Sequence, residues 1–448
     1  MPFVDATPLT PEFLARLGEQ FASDPRHRVA QNAVTASPID NVALDRQVVV
    51  STDHTFSHVL DDWAVTNQKQ SGRCWMFAGL NLLRPAAMKA MNLKDFEFSQ
   101  NFTLFWDKLE RANYFLHAII ETADSPLDDR TVSFLLDRPL DDGGQWNMFV
   151  AILKKHGAVP KAAMPETTSS SSTGRMNQHL LTILRQGAMR LREAPEGERH
   201  ALREEVLAQV HRVLCIHLGT PPSRFHWQWN DKDRGFHRQG DMTPLEFAHR
   251  HILQPLDDYV CVVHDPRPEN PAGRTYTVQY LGNVIGGDPV VYLNVPLDVM
   301  KDATMRTLLD GEPVWMGCDV GKMMNNDLGL WDARTYDYES LYQIPFTLDK
   351  ARRLHYHETM MTHAMLFTGV DVIEEGGLQR ARRWRVENSW GEEKGRKGFY
   401  VMDDSWFDEH MFEVAVRRKY LPVELLKALE EPPTVLPPWD PMGSLARG

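Results

Sequence analysis

The residues able to do chemistry stand far apart in this chain. Gln68 to Trp75 reads Q-K-Q-S-G-R-C-W, and Cys74 follows Ser71-Gly72 at the expected start of an apolar helix, C-W-M-F-A-G-L-N-L-L-R. A helix N-terminus sets free N–H groups and partial positive charge beside the sulfur, which favours thiolate. Gln68, across the turn, could aim a side-chain N–H at the same reacting centre. His363 lies in M-T-H-A-M-L-F-T-G-V and Asn388 in V-E-N-S-W-G. Each is ordinary alone: a cysteine is commonly a small buried hydrophobe, a histidine on an apolar strand a satisfied core residue, Asn-Ser-Trp-Gly a turn. Taken in order, Cys, His and Asn supply a nucleophile, a base and a carboxamide to orient the base. That is the order of a thiol peptidase whose nucleophile opens a helix and whose base sits on a sheet.

Such a set needs a helix under the cysteine and strands under the other two. The first half of the chain reads as helical. Ser99 is a plausible N-cap for a helix with apolar Phe102, Phe105, Trp106, Leu109 and Leu116. Trp146 to His156 forms another, stopped at Gly157. Residues 167–174, T-T-S-S-S-S-T-G, read as a loop. From Leu202 the stripe Val206, Val210, Val213 and Leu214 predicts a packed helix ended by Gly219-Thr220-Pro221-Pro222. Beyond Tyr259 the pattern changes to short β-branched and aromatic strands, such as Y-V-C-V-V-H and P-V-W-M-G-C-D-V. Residues 423–431 return to helix. The five prolines after Glu431 predict an extended arm. The expected division is an N-terminal arm (1–59), a helical half (60–166), a helical insertion (167–250), a β-rich half (251–422), and a C-terminal helix and arm (423–448).

Composition narrows the class. The chain has 448 residues, 42% hydrophobic and 25% charged, which is ordinary for a globular protein and excludes a fibrous or mainly disordered one. A net charge of −12 argues against nucleic acid as the main partner. No apolar run is long enough for a membrane span. The N-terminus lacks the pattern of a secretory signal. With four cysteines, that fits a reducing cytoplasm. Cys215, Cys261 and Cys318 sit in apolar segments and read as structural.

Several long segments resemble the bleomycin hydrolase/aminopeptidase C family of papain-like cysteine peptidases. They include V-T-N-Q-K-Q-S-G-R-C-W-M-F-A, D-D-G-G-Q-W-N-M-F, G-E-P-V-W-M-G-C-D-V-G-K, M-T-H-A-M, R-V-E-N-S-W-G and the tail W-D-P-M-G. The resemblance covers most of the chain. It implies an α+β, two-subdomain papain-like fold and an aminopeptidase releasing N-terminal residues from peptides, with action on bleomycin-like amides as an extension. The roles carry over onto Cys74, His363, Asn388 and Gln68, with no metal and no cofactor. Gly143-Gly144 resembles the glycine pair whose backbone pairs with substrate, and Trp390 would cover the His363–Asn388 bond. The residue before the nucleophile is Arg73, where typical papains have a small one. The separation of Cys74 from His363 far exceeds the ~130–150 residues of ordinary papain-like chains, which implies an insertion. The family's additions imply a homohexamer with active sites facing an inner cavity.

The resemblance also implies that the tail enters its own active site and that its terminal carboxylate meets the substrate's free amino group. At ~3.1 Å per residue the segment beyond Glu431 could reach about 50 Å if extended. Family tails commonly stop near the position of Ala446, whereas this chain continues through Arg447 to Gly448. Two other readings stand beside the peptidase. His355, His357 and His363 could form a metallohydrolase cluster, although the spacing after His357-Glu358 is not that of a helical H-E-x-x-H site. Arg380, Arg382, Arg383, Arg385 and Arg417-Arg418-Lys419 could serve a nucleic-acid-binding or scaffold protein.

Overall fold

The computed structural model describes residues 6–60 and 63–447. The helix Cys74–Ala90 is apolar almost all round, so it is buried along its length and not on one stripe only. Gly79 permits the close approach of a second helix, Trp146–His156. A Cβ there would lie 2.6 Å from the Phe149 ring. Gly157 ends that second helix at φ 75°, a conformation glycine adopts without penalty. The long helix Gln100–Glu121 starts where the Ser99 hydroxyl accepts the N–H of Phe102 (3.0 Å).

The segment read as a helical insertion carries the helices Gly174–Glu193 and Glu196–Leu218. They pack on each other and on Gln100–Glu121. Val206, Val210 and Leu214 are buried and Val213 half-buried, as the stripe predicts. Two local expectations fail here. Thr168–Ser171 is a short helix, because Thr167 and Ser170 close a reciprocal cap that stands in for the missing apolar periodicity. Phe225–Asn230 and Phe236–Met242 form a hairpin, so the segment is not wholly helical.

The second half forms a twelve-stranded mixed sheet. Its centre holds Met411–Arg417, Val314–Cys318, His363–Glu375 and Leu378–Glu387, in that order and antiparallel. One face, with Val314, Met316, Met365, Val414 and Val416, packs on the helix Leu297–Leu309. The other, with Trp315, Ala364, Leu366 and Ala415, joins the core of the helical half. The fold is the α+β, papain-like arrangement. The arm runs extended through Thr434–Leu436, pairing with Arg274–Val278. Beyond Pro437 it departs from the expectation and winds into a 3-10 helix, Pro441–Arg447. Pro441 opens that helix, where a missing N–H costs nothing.

Candidate active site

Cys74 is the first residue of its helix, and its sulfur meets the first residues of the His363 strand. The backbone N–H of Ala364 donates to Cys74 Sγ at 3.4 Å. His363 Nε2 lies 2.9 Å from Asn388 Oδ1. With the proton on Nε2, Nδ1 is left free to act as a base. Asn388 Oδ1 also accepts the N–H of Ser389 (2.8 Å), which holds the carboxamide still. The Trp390 ring lies against the imidazole, centroids 4.9 Å apart and tilted by 33°. Gln68 is buried nearby. Its Oε1 accepts from the Ser389 hydroxyl (2.6 Å), and its Nε2 donates to the Ser71 carbonyl (2.6 Å), leaving one N–H of the amide uncommitted.

Burial dominates the electrostatics. It pushes the Cys74 thiol up to about 11, against the backbone N–H groups of Ala364, Trp75 and Cys74 that pull it down. It pushes the His363 imidazole down to about 4, with Asn388 opposing. Each group alone is therefore neutral at pH 7. The helix terminus by itself does not make the thiol acidic.

Gly143 and Gly144 lie beside the nucleophile helix. A Cβ at Gly144 would sit 2.4 Å from the Trp75 indole, so only glycine fits. The Gly143 carbonyl accepts from Arg111. Arg111 also donates to the Ala446 carbonyl (3.4 Å). The Ser444 hydroxyl bonds the Met361 carbonyl (2.8 Å), two residues before His363. The end of the tail is thus brought to the glycine pair and to the His363 strand. Gly448 lies outside the described residues.

Several residues of the site carry no sequence signal of their own. Asp142 is buried and accepts from the Gly72 N–H (3.1 Å), Thr173, Asn177 and Lys108. Burial opposes its charge, but Lys108 and these donors outweigh it and hold the carboxyl well below the usual range. Arg73 makes a two-pronged pair with Glu166 (2.9 and 2.8 Å), tying the nucleophile turn to the edge of the insertion. Glu387 accepts from Asn81 on the nucleophile helix (2.8 Å) and from Trp63 (2.7 Å).

The remaining candidates are placed elsewhere. His355 ends the helix Lys350–His355 and faces Glu269 at 3.4 Å. Among the described residues no three His, Cys, Asp or Glu are grouped to hold a metal. Arg382 pairs with Asp371, Arg417 with Asp258 and Glu312, and Lys419 with Asp310. Arg383 caps the carbonyls of Ser51 and Asp53. Cys261 and Cys318 are buried, and burial pushes both thiols well up.

Comparison with known proteins gives one consistent picture. The family model of the peptidase C1-like family matches residues 8–443. The chain is 44% identical to bleomycin hydrolase of Rattus norvegicus, over 98% of this chain and 99% of that protein. It is 42% identical to aminopeptidase C of Listeria innocua, over 98% and 100%. The crystal structure of pepw from Lactobacillus rhamnosis HN001 superposes with a TM-score of 0.94 at 42% identity, covering 98% of this chain and 99% of that one.

Proposed function

The chain belongs to the peptidase C1-like family as a papain-like cysteine aminopeptidase, and from that premise we propose that Cys74, His363 and Asn388 carry the hydrolysis through an acyl-enzyme. The observation that carries this is Cys74 Sγ held against the Ala364 N–H while the adjacent His363 is bonded to Asn388. His363 Nδ1 takes the thiol proton, and the thiolate attacks the scissile carbonyl. The backbone N–H of Cys74 and the uncommitted N–H of Gln68 stabilise the oxyanion, each worth ~2.7–4 kcal/mol. His363 returns the proton to the leaving amine, and water then releases the acyl group. Asn388 fixes the ring, and Trp390 keeps water from the bond between them.

Substrate choice falls to the tail. Peptides with a free N-terminus are the substrates, and bleomycin-like amides are within reach of the same chemistry. Gly143-Gly144 flanks the acyl side, and the arm comes to that side at Ala446, held with Gly143 by Arg111. A carboxylate ending the arm at this place would meet the substrate's ammonium. Assembly as a homohexamer agrees with the helices Pro11–Ser23 and Pro25–Ala36. Neither buries a residue, although the first exposes Leu14, Leu17 and Phe21. A reducing cytoplasm suits the four free cysteines.

The test is a panel of aminoacyl and N-blocked aminoacyl fluorogenic amides. Wild type should cleave the free-amino set and be stopped by a thiol alkylator. Folded Cys74→Ala should be inactive, and His363→Ala should lose more turnover than Asn388→Ala, since only the base exchanges a proton. Full activity in Cys74→Ala, or inhibition by a chelator instead of the alkylator, would overturn the assignment.

A further inference from the structure

The strand ladder that carries His363 stops at His363 itself. Val314–Cys318 pairs with that strand from Val314 opposite Phe367 to Cys318 opposite His363. One further backbone bond, from the Thr362 N–H to the Cys318 carbonyl (2.9 Å), closes it. Upstream the chain is irregular. Residues 356–362, between the helix Lys350–His355 and the strand, are neither helix nor strand, and His357 stands at φ 58°. The backbone of a residue that opens a strand is held on one side by the ladder. On the other side it is held only by whatever fixes the segment leading in.

Asp319 fixes that segment. It follows Cys318, one step past the end of the ladder. Its Oδ2 accepts the Thr359 hydroxyl (2.7 Å), and its Oδ1 faces the Thr362 hydroxyl at 3.5 Å. The Met360 backbone N–H also donates to the carboxyl. The Thr362 hydroxyl in turn accepts the N–H of Val320 (3.2 Å). On its far side, the Asp319 N–H donates to the His410 carbonyl (3.0 Å), just before the strand Met411–Arg417. One residue thus joins the end of one strand to the starts of both its neighbours.

Burial gives these bonds their weight. Asp319 is 4% exposed and Thr359 2%. Burial raises the Asp319 carboxyl, while Thr359, Lys322, the Met360 N–H and Thr362 oppose it. The Lys322 ammonium itself pairs with Glu358 (2.8 Å), so the bonds to Asp319 come from neutral donors. Moving residues 359–362 would strip a buried carboxylate of those donors, which is costly.

We propose that Asp319 is a positioning residue for the base: its carboxylate takes over where the strand ladder ends and sets where the His363 imidazole stands relative to Cys74. It touches neither substrate nor the reacting atoms. The inference rests on the reading of His363 as the base of Cys74. Position matters at this scale, because a displacement of about 1 Å in a catalytic group can cost on the order of 100-fold in rate.

The test on the full chain follows the Cys74 thiol as well as turnover. Iodoacetamide is uncharged, and its rate of reaction at Cys74 against pH, read by mass, reports how far the imidazole favours thiolate. His363→Ala marks the limit of a thiol without its base and should raise the midpoint. Asp319→Ala should raise it in the same direction, by about half a unit or more, and lower kcat on aminoacyl amides about tenfold or more. Asp319→Asn keeps the shape and loses one acceptor. Thr359→Val removes the 2.7 Å bond and keeps the charge. Both should shift the midpoint the same way by less, and they carry the test if Asp319→Ala does not fold. A merely structural role would lower the melting midpoint or kcat and leave the alkylation midpoint unmoved, which overturns the proposal. If His363→Ala moves the midpoint and no folded Asp319 or Thr359 variant does, this proposal falls and the peptidase reading stands. If His363→Ala itself leaves the midpoint unmoved, His363 is not the base of Cys74, and both fall.

Discussion

Cys74 and His363 are each driven toward neutrality by burial, yet the chemistry needs them as an ion pair. In the proposed mechanism the proton would move between them without changing the net charge of the buried site, so only the separation of charge would need stabilising, by Asn388 and the helix terminus. Glu413 shows the same burial acting on a lone acid, and its sign can be worked out. Its carboxyl is raised from 4.5 to about 8 in the folded protein, by burial, with the neighbouring Cys261 thiol opposing. Between those values the folded chain holds a proton that the unfolded chain has released. Stability therefore falls as pH rises through this window, by up to about 1.4 kcal/mol per unit. Glu413→Gln should remove that slope, so the variant gains on wild type between about pH 5 and about pH 8. Urea unfolding midpoints of both proteins across that range check it; a constant difference would mean the carboxyl is already ionised when folded. Cys74, His363, Asn388 and Gln68 were legible at this scale because their types and order are chemically unusual. Glu413 was not, because a glutamate in M-F-E-V-A-V looks like the polar face of an ordinary strand.

The helix that presents Cys74 depends on a neighbour chosen by shape. Gly79 faces the Phe149 ring, and a methyl group there would stand 2.6 Å from it. Gly79→Ala should force the helix Cys74–Ala90 away from Trp146–His156, costing roughly 1–3 kcal/mol and lowering turnover by moving Cys74 relative to Ala364. Thermal melting and kcat measured together test this; an unchanged kcat in a destabilised protein would mean the sulfur is held by the sheet alone. Helices with strong periodicity or caps, such as Gln100–Glu121 after Ser99, were readable in advance. The helix Thr168–Ser171 was not, since it rests on a reciprocal serine–threonine cap in a composition typical of loops. The hairpin Phe225–Met242 was missed because only its first strand alternates, with Phe225, Trp227 and Trp229 less exposed than His226, Gln228 and Asn230, while its second, F-H-R-Q-G-D-M, is mostly polar and exposed.

Across the whole molecule, the tail couples the surface of one half to the centre of the other. Asp440 pairs with Arg267 (2.9 Å), the Tyr292 hydroxyl donates to the Met442 carbonyl (3.1 Å), and Arg111 holds both Gly143 and Ala446. Arg111 would bind a carboxylate at Ala446 more strongly than the amide carbonyl now there. We expect the active enzyme to remove Arg447-Gly448 from its own terminus. Intact mass should show wild type shorter by those two residues and Cys74→Ala at full length. A full-length wild type would mean instead that Arg447-Gly448 fill the subsite and reduce aminopeptidase activity until removed.

The sequence by itself determined the local and the chemical: a helix opening at Cys74, a strand under His363, the order of Cys74, His363 and Asn388, and the resemblance carried by their flanking residues. These depend on neighbours along the chain, where periodicity, caps and residue type act directly. Only the tertiary structure decided that Asp142 ties the nucleophile turn to the insertion, that Arg111 joins the tail to the glycine pair, and that Glu413 is buried with no ion-pair partner among the described residues. Those outcomes depend on which distant groups share a low-dielectric interior, where pairing or its absence sets the energy. No spacing along a chain records which of its acids will be buried alone.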